Sequence, residues 1–260
     1  MLGSNDRALV AVQCAMNQIT DFMAMAEPHW DMGPSIAVIS GTDSRFGNRP
    51  YVTQLTSGWS GAGGMNGHDG HLFYAVSTGG AHYANPIEMV EQRYPILYVQ
   101  QEFQTDALGS GRWDSSPSAR TIIRATTDPV TMIWVCDGHH NPARGAAGGL
   151  DGIPTSAYRL RFGTGKKPER IEELPAVCET VIEPGEAIES IYSSGGGYGD
   201  PLDRDPELVR QRVREEWISP TYAKDVYGVV LDTKPESFAV DWETTEELRQ
   251  KLRNERKADA

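Results

Sequence analysis

Short apolar segments separated by glycine and proline dominate the chain before residue 203. Alternating or continuous apolar positions predict strands over 35–40, 51–56, 96–103, 121–125, 130–136, 156–162, 177–182 and 187–192. The segment 130–136 is almost continuously apolar, which is typical of a central strand. Because turn residues follow each segment closely, the pattern favours antiparallel sheet.

Helical spacing of apolar residues predicts helices near both ends of the chain. Asn5 is placed to cap a first helix that carries Leu9, Val12, Met16 and Ile19. A short helix is expected at 86–91, before Pro95.

The last sixty residues change character and predict a helical tail. One helix begins at Pro206 and a second at Pro220, each with an apolar stripe, and a short strand is expected at 228–231. Thr244 and Glu247 form a capping box for a final helix that should lie on the surface or against a partner and fray over 254–260. The fold expected is therefore α+β: a β-rich unit, mixed or antiparallel, over 1–202 and a helical extension over 203–260 packed on the same unit.

Glycine-rich loops are the most informative feature of the chain. They lie at 58–71, 145–152 and 193–201, and the last directly precedes the helix start at Asp205-Pro206. Such a loop can hold an anion or a carbonyl oxygen, or it can pack tightly against another backbone segment. The candidate positions for substrate or backbone contact are Gly63, Gly64, Gly195, Gly196, Gly197, Tyr198 and Asp200.

Composition excludes several classes of protein. The chain has 260 residues and a formal charge of −12, and no cluster of Lys and Arg suggests a nucleic-acid or anionic membrane surface. No apolar run approaches the ~20 residues of a membrane span, and the N-terminus lacks the features of a signal peptide. Three isolated cysteines without a C-x-x-C pair argue against a disulfide framework, so we expect a cytoplasmic protein.

Histidines provide the candidate chemistry. His68, Asp69 and His71 lie together on the first glycine-rich loop, with His82 beyond them, and His139 and His140 follow the apolar segment 130–136. Imidazole and carboxylate groups suit zinc, manganese or iron, and they can equally make ordinary loop hydrogen bonds. The sequence contains no Walker A motif and no strand-linked G-x-G-x-x-G, so it shows no nucleotide site of its own.

The order of motifs resembles the hydantoinase B family, which includes subunits of acetone and acetophenone carboxylases and the matching part of 5-oxoprolinases. The motifs are Gly58–Gly64 with Asp69-Gly70, Asn85–Glu88 with Tyr94-Pro95, Gly109–Trp113, Asp137–Pro142, Ser194–Pro201 and Asp225–Leu231. His68 and His71 depart from the family's commoner pattern, in which a basic residue often precedes Asp-Gly, and Ala119-Arg120 is a second departure. The resemblance spans nearly the whole chain.

The resemblance implies a heteromeric enzyme. Family members are typically about twice as long, so this chain resembles the C-terminal half, and a separate N-terminal half is an expected partner. A hydantoinase A-like subunit would bind ATP, and a divalent metal would be held mainly outside this chain. Within such a complex His68, Asp69, His71, His139 and His140 are the candidate catalytic residues.

Three functions follow from the resemblance. The first is a subunit of an ATP-dependent carboxylase acting on a small ketone, in which the glycine loops supply N–H groups to an oxyanion. The second is a subunit of an ATP-dependent hydrolase acting on a cyclic amide such as hydantoin or oxoproline. The third is a structural subunit that completes the fold of another chain. A partial fold should also expose an apolar interface patch.

Overall fold

A computed structural model of the chain describes residues 8, 11–12, 15–16, 19, 24–28, 34–56, 61–72, 85–136, 138–163, 167–232, 234 and 237–258. Most of the helix predicted after Asn5 lies outside the described residues. The same is true of His82, of Asp137 and of the loop residues 58–60.

Within the described residues, nine strands form two antiparallel sheets. The strands are β1 (Val38–Asp43), β2 (Arg49–Gln54), β3 (Ile96–Phe103), β4 (Ala119–Ala125), β5 (Val130–Val135), β6 (Ser156–Arg161), β7 (Glu169–Leu174), β8 (Val177–Ile182) and β9 (Glu186–Ile191). The first sheet has the order β2-β1-β5-β8 and the second the order β3-β4-β9-β6-β7. The prediction of an α+β fold with antiparallel pairing is confirmed.

The main core lies between the two sheets. One sheet contributes Ile39, Met132 and Trp134 from alternate positions of β1 and β5, while the other contributes Ile123 and Ile188. Alternation along each strand turns one set of side chains into this core and leaves the other set outside. The inner side chains of β5 are buried, but Ile133 and Val135 on its outer face are exposed.

Four helices complete the described part of the fold: α1 (Ile87–Arg93), α2 (Pro206–Arg214), α3 (Pro220–Tyr227) and α4 (Trp242–Ala258). Side chains of α2 and α3 form a second core with Leu108, which lies in the loop after β3. The helical tail therefore packs on the glycine-loop end of the sheets.

Two sequence predictions for the tail are wrong, and one edge strand is not predicted by the sequence. Residues 228–231 form only a single bridge between Leu231 and Val240, because Gly228 ends α3 in the left-handed region. The last helix begins at Trp242 and not at a Thr244 cap, since Asp241 accepts hydrogen bonds from both the main-chain N–H and the hydroxyl of Thr244, and it extends to Ala258. The charged segment Glu169–Leu174 was not predicted as a strand, yet it forms the edge strand β7.

Candidate functional site

The segment after β9, residues 193–199, lies at the centre of the glycine-rich loops. Gly64 N donates to Gly196 O at 2.9 Å, and Gly196 N donates to Glu27 O at 2.9 Å. Gly197 N donates to Leu150 O at 2.9 Å, while its own carbonyl accepts from Ala146 N at 2.9 Å. The segment is therefore hydrogen-bonded to three separate loops along its length.

A fourth loop joins the same layer through Tyr198. The main-chain groups of Tyr198 and Trp113 exchange two hydrogen bonds of 2.9 Å, and Arg112 N donates to Gly199 O at 3.0 Å. These main-chain N–H and C=O groups lie outside regular strands, so hydrogen bonds between loops supply their partners.

Close approach explains why this layer needs glycine. A Cβ atom on Gly196 would lie 2.1 Å from Arg144 O, and one on Gly197 would lie 2.1 Å from Ser110 O. Both distances are far inside van der Waals contact, so no side chain fits at either position. The N–H groups of Gly64, Gly196, Gly197 and Tyr198 all donate to carbonyls, which leaves none of these four for the oxyanion role that the sequence suggested.

Asp69 lies in a buried ion cluster rather than facing a cavity. Arg204 binds it in a bidentate manner, with Nη1–Oδ1 and Nη2–Oδ2 distances of 2.7 Å, and Arg212 Nη2 lies 2.8 Å from Oδ2. The main-chain N–H of Asp114 donates to Oδ1 at 2.9 Å. Burial opposes the ionisation of Asp69, but the hydrogen bonds and charge of Arg204 outweigh it and hold its pKa below the ordinary value.

Asp114 is the second carboxylate of this cluster and is fully buried. Its Oδ2 lies 3.2 Å from Arg204 Nε, and its Oδ1 accepts from Tyr227 Oη at 2.8 Å and from Gly111 N at 3.0 Å. Burial raises the pKa of Asp114 to about 6, against the opposing charge of Arg204. One buried guanidinium thus joins two glycine-rich loops.

The helical tail holds this arginine in place. Arg249 of α4 donates through Nη2 to Arg204 O at 2.7 Å and through Nε to Tyr227 O at 3.0 Å. Arg204 itself follows the short 3₁₀ turn Pro201–Asp203, which Asp200 caps by accepting from Leu202 N at 2.9 Å. Asp200 also accepts from Arg256 Nη1 at 2.8 Å, so both of its contacts are structural.

The candidate histidines form two pairs. The rings of His68 and His71 are 5.0 Å apart between centroids, and both side chains are exposed, with His68 Nδ1 against the carbonyl of Asp69. The rings of His139 and His140 are 4.6 Å apart in an edge-to-face arrangement. Within the described part of the chain, no group of three or more His, Cys, Asp or Glu side chains could hold a metal ion. The described residues thus do not make a complete metal site.

Sequence reasoning missed the residues that form the ion cluster. Arg204 and Asp114 are not among the sequence-based candidates, although Arg204 lies in a charged stretch directly after a glycine motif and Asp114 follows another. Tyr227 lies in the motif Asp225–Leu231, but its contact with Asp114 is not predicted. A charge beside a tight glycine loop is the signal that could have indicated a buried pair, because such loops leave little room for water.

The comparison with known sequences decides the family. The profile of the Hydantoinase B/oxoprolinase family matches residues 4–201, which include every strand and glycine loop described above. The chain belongs to the Hydantoinase B/oxoprolinase family. The resemblance stated from the motifs is thereby confirmed.

Two relatives of the chain are named as enzyme subunits. The chain is 32% identical over 199 residues to the caprolactamase subunit beta of Pseudomonas jessenii, and this alignment covers 75% of this chain and 34% of the relative. It is 23% identical over 290 residues to the acetone carboxylase alpha subunit of Xanthobacter autotrophicus, covering 88% of this chain and 37% of the relative. The matched part thus spans about a third of each curated relative's length.

Two solved structures share the fold. The nucleotide-free structure of acetone carboxylase, from work on ATP-dependent acetone carboxylation, superposes with a TM-score of 0.76 at 18% identity, covering 91% of this chain and 35% of that one. The ATP-dependent caprolactamase from Pseudomonas jessenii gives a TM-score of 0.69 at 26% identity, covering 86% and 38%. No described helix of the hydantoinase B-type chain is long and apolar enough to cross a lipid bilayer.

Proposed function

We propose that this chain is a subunit of a heteromeric, ATP-dependent enzyme that opens a cyclic amide. The observation that carries this choice is the order of sequence identity: 32% to a caprolactamase subunit against 23% to an acetone carboxylase subunit. A lactam is a cyclic amide, so the proposal places this substrate class ahead of ketones.

In the proposed reaction a companion hydantoinase A-like subunit binds ATP and transfers its γ-phosphoryl group to the amide oxygen, releasing ADP. Water then adds to the activated carbon, and the C–N bond breaks with a proton delivered to the ring nitrogen, which leaves an acyl phosphate. A second water hydrolyses the acyl phosphate, giving the carboxylate and releasing phosphate. The products are the ring-opened amino acid, ADP and phosphate. The chain's lack of a phosphate-binding motif is in keeping with a partner that supplies the nucleotide site.

We assign proton transfer on this chain to His68 and His71, which lie on the first glycine-rich loop. Both imidazoles are exposed, so they are free to face a cavity completed by another subunit, and Asp69 between them is fixed by Arg204. Because Asp69 holds the loop in place, one of the two neighbouring imidazoles can be positioned as a general base at the attacking water. His139 and His140 are the second proposed pair. A divalent metal, held mainly by other subunits, remains part of the proposal without a role in these steps.

The glycine layer has a supporting role in this proposal. The amides of Gly64, Gly196 and Gly197 bond to carbonyls of neighbouring loops, and Gly63 and Gly195 lie in close backbone contact, so in this proposal these glycines hold the loops in one rigid body. Tyr198 and Asp200 belong to the same framework. Rigid support matters because catalytic geometry tolerates only small displacements.

Ketone carboxylation is the second candidate, and one observation favours it. The fold superposes on acetone carboxylase with a TM-score of 0.76 over 91% of the chain, compared with 0.69 over 86% for caprolactamase. In this case the phosphorylated species would include bicarbonate, and no ring would open.

The two candidates separate in one assay. The complex is purified through a tag on this chain together with its companion subunits, and ATP hydrolysis is measured with caprolactam, hydantoin and 5-oxoproline and, separately, with acetone or acetophenone plus bicarbonate. Bicarbonate-independent ADP release with a ring-opened acid is expected. ADP release that requires both ketone and bicarbonate would replace the first candidate by the second.

A further inference from the structure

The outer face of the four-stranded sheet carries an unusual number of exposed aliphatic side chains. We call it the open sheet face and define it by Val38, Val52, Ile133, Val135, Val177 and Val181. Register places them on one side: Ile133 is opposite Val38, and Val135 is opposite Val177. Three of them, Val52, Val177 and Val135, expose 76%, 67% and 56% of their surface. A contiguous apolar face of this kind marks an interaction surface.

The sequence of β5 indicates that this face is meant to be covered. Val130–Val135 is apolar at five of its six positions, a pattern of strands buried on both sides. Its inner residues Met132 and Trp134 fill the core, whereas Ile133 and Val135 on the other side are 42% and 56% exposed. Among the outward positions of this sheet only Glu179 is charged, although the chain as a whole carries −12.

The relatives indicate what covers it. All four strands of this sheet lie inside the family match at 4–201, yet the matched part is only 34% of the caprolactamase subunit and 37% of the acetone carboxylase subunit. In the proposed complex, the remainder of the family fold packs against the unit seen here. A second copy of this chain is a poorer occupant, because two chains of −12 repel each other.

We propose that the open sheet face docks the polypeptide that carries the remainder of the hydantoinase B-type fold. This inference rests on the proposed heteromeric function and names the surface by which one partner binds. The face is mostly aliphatic and carries a single carboxylate, Glu179, opposite Ile133, which fits an interface with an apolar core and few charges.

The test compares two double variants of the tagged chain, co-expressed with its companion polypeptides. Ile133→Lys with Val181→Lys places charges on the open sheet face, while Leu97→Lys with Ile171→Lys places them at exposed positions of the other sheet as a matched control. The captured polypeptide is identified by its peptide masses as the remainder of the family fold. We expect the first variant to bind it about 100-fold more weakly or worse, because unpaired charges would be buried, and the control to bind as the unaltered chain does.

A second measurement keeps the test independent of lysine effects on folding. Val177→Cys is labelled by a maleimide, and we expect the labelling rate to fall at least about tenfold when the complex forms, because the site becomes buried. Unchanged labelling, or equal affinity of the two lysine variants, would overturn the inference. The inference would also be overturned if no such polypeptide were captured and the chain instead associated with itself through this face. ATP hydrolysis by the assembled, unaltered complex is assayed separately, so an inactive but assembled complex counts against the proposed function alone.

Discussion

Arg204 and Asp69, 135 positions apart in the chain, are joined by two hydrogen bonds of 2.7 Å between guanidinium and carboxylate. The arginine side chain is 1% exposed, and Asp114 lies against its Nε at 3.2 Å. This pair connects the loop that carries His68 and His71 with the start of the helical tail. Together with the contact from Arg212 to Asp69, this pair fixes the candidate site to the tail.

Replacing Arg204 by Met should strongly destabilise the chain. The change keeps much of the side-chain volume but leaves two carboxylates without their shared cation, and breaking a buried pair costs about 3–5 kcal/mol. Urea unfolding of the purified chain measures the loss. Arg256→Met is the matched control, since its pair with Asp200 is exposed and such pairs are worth about 0–1 kcal/mol. Similar losses for the two variants would show that the cluster is not a stabilising centre.

Substitution of Gly196 by Ala tests the glycine layer. A Cβ there meets Arg144 O at 2.1 Å, so the loops must separate and their hydrogen bonds weaken, at a cost of about 3 kcal/mol or more. Gly47→Ala is the control: its φ is +69°, but nothing lies within 4 Å of the added atom. Only backbone strain of about 1–2 kcal/mol is expected there. Thermal melting compares the two, and a smaller effect at Gly196 than at Gly47 would contradict the packing role.

The sequence predicts the sheets well because their information is local. The apolar positions of β1 and β9 and the almost continuous apolar run of β5 are read directly, and turns at residues such as Gly185 separate the strands. The sequence pattern does not predict the edge strand β7, because Glu169–Leu174 contains four charged residues, which favour helix or loop when taken alone. It becomes a strand only because β6 offers an edge to pair with.

The candidate site was less predictable for a physical reason. The sequence indicates Asp69 as a catalytic residue and the glycines as donors to an oxyanion. Asp69 instead binds Arg204, and the glycine amides bind carbonyls of facing loops, and these partners are far away in the sequence. Which donor meets which acceptor depends on how separate loops pack, and local spacing carries no record of that. Motif order found the family, whereas only the packed structure assigned the contacts.

The pH dependence of stability should carry a contribution from Asp114. Its pKa is raised by burial to about 6 in the folded chain, compared with an ordinary value near 3.8. A raised pKa means that the folded state binds the proton more tightly, so this contribution is fully present below about pH 4 and is lost as the pH rises through 6. Asp69, with a lowered pKa, acts in the opposite sense and only in more acidic solution, where its stabilisation is lost as it becomes protonated.

Asp114→Asn is the variant that isolates this effect. Free energies of unfolding at intervals from pH 4.5 to 7.5 should show a shallower decline with rising pH in the variant than in the unaltered chain, because the titrating group is gone. The variant is expected to be less stable at every pH, since an amide nitrogen facing Arg204 removes an acceptor. Parallel pH profiles would mean that another group titrates in this window.

The His68→Ala, His71→Ala double variant tests the proposed proton transfer in the assembled complex. Both side chains are exposed, so we expect an unchanged melting temperature, together with a loss of ATP-dependent turnover of about 100-fold or more if the pair supplies the general base. Asp69→Asn is the contrasting variant, because loss of the ion pair with Arg204 should lower the melting temperature of the chain. The pH–rate profile is the deciding readout: removal of a base changes its acidic limb, whereas a structural effect lowers the whole curve. Normal turnover with an unaltered profile in the double variant would exclude this pair and leave His139 and His140 as the candidates on this chain.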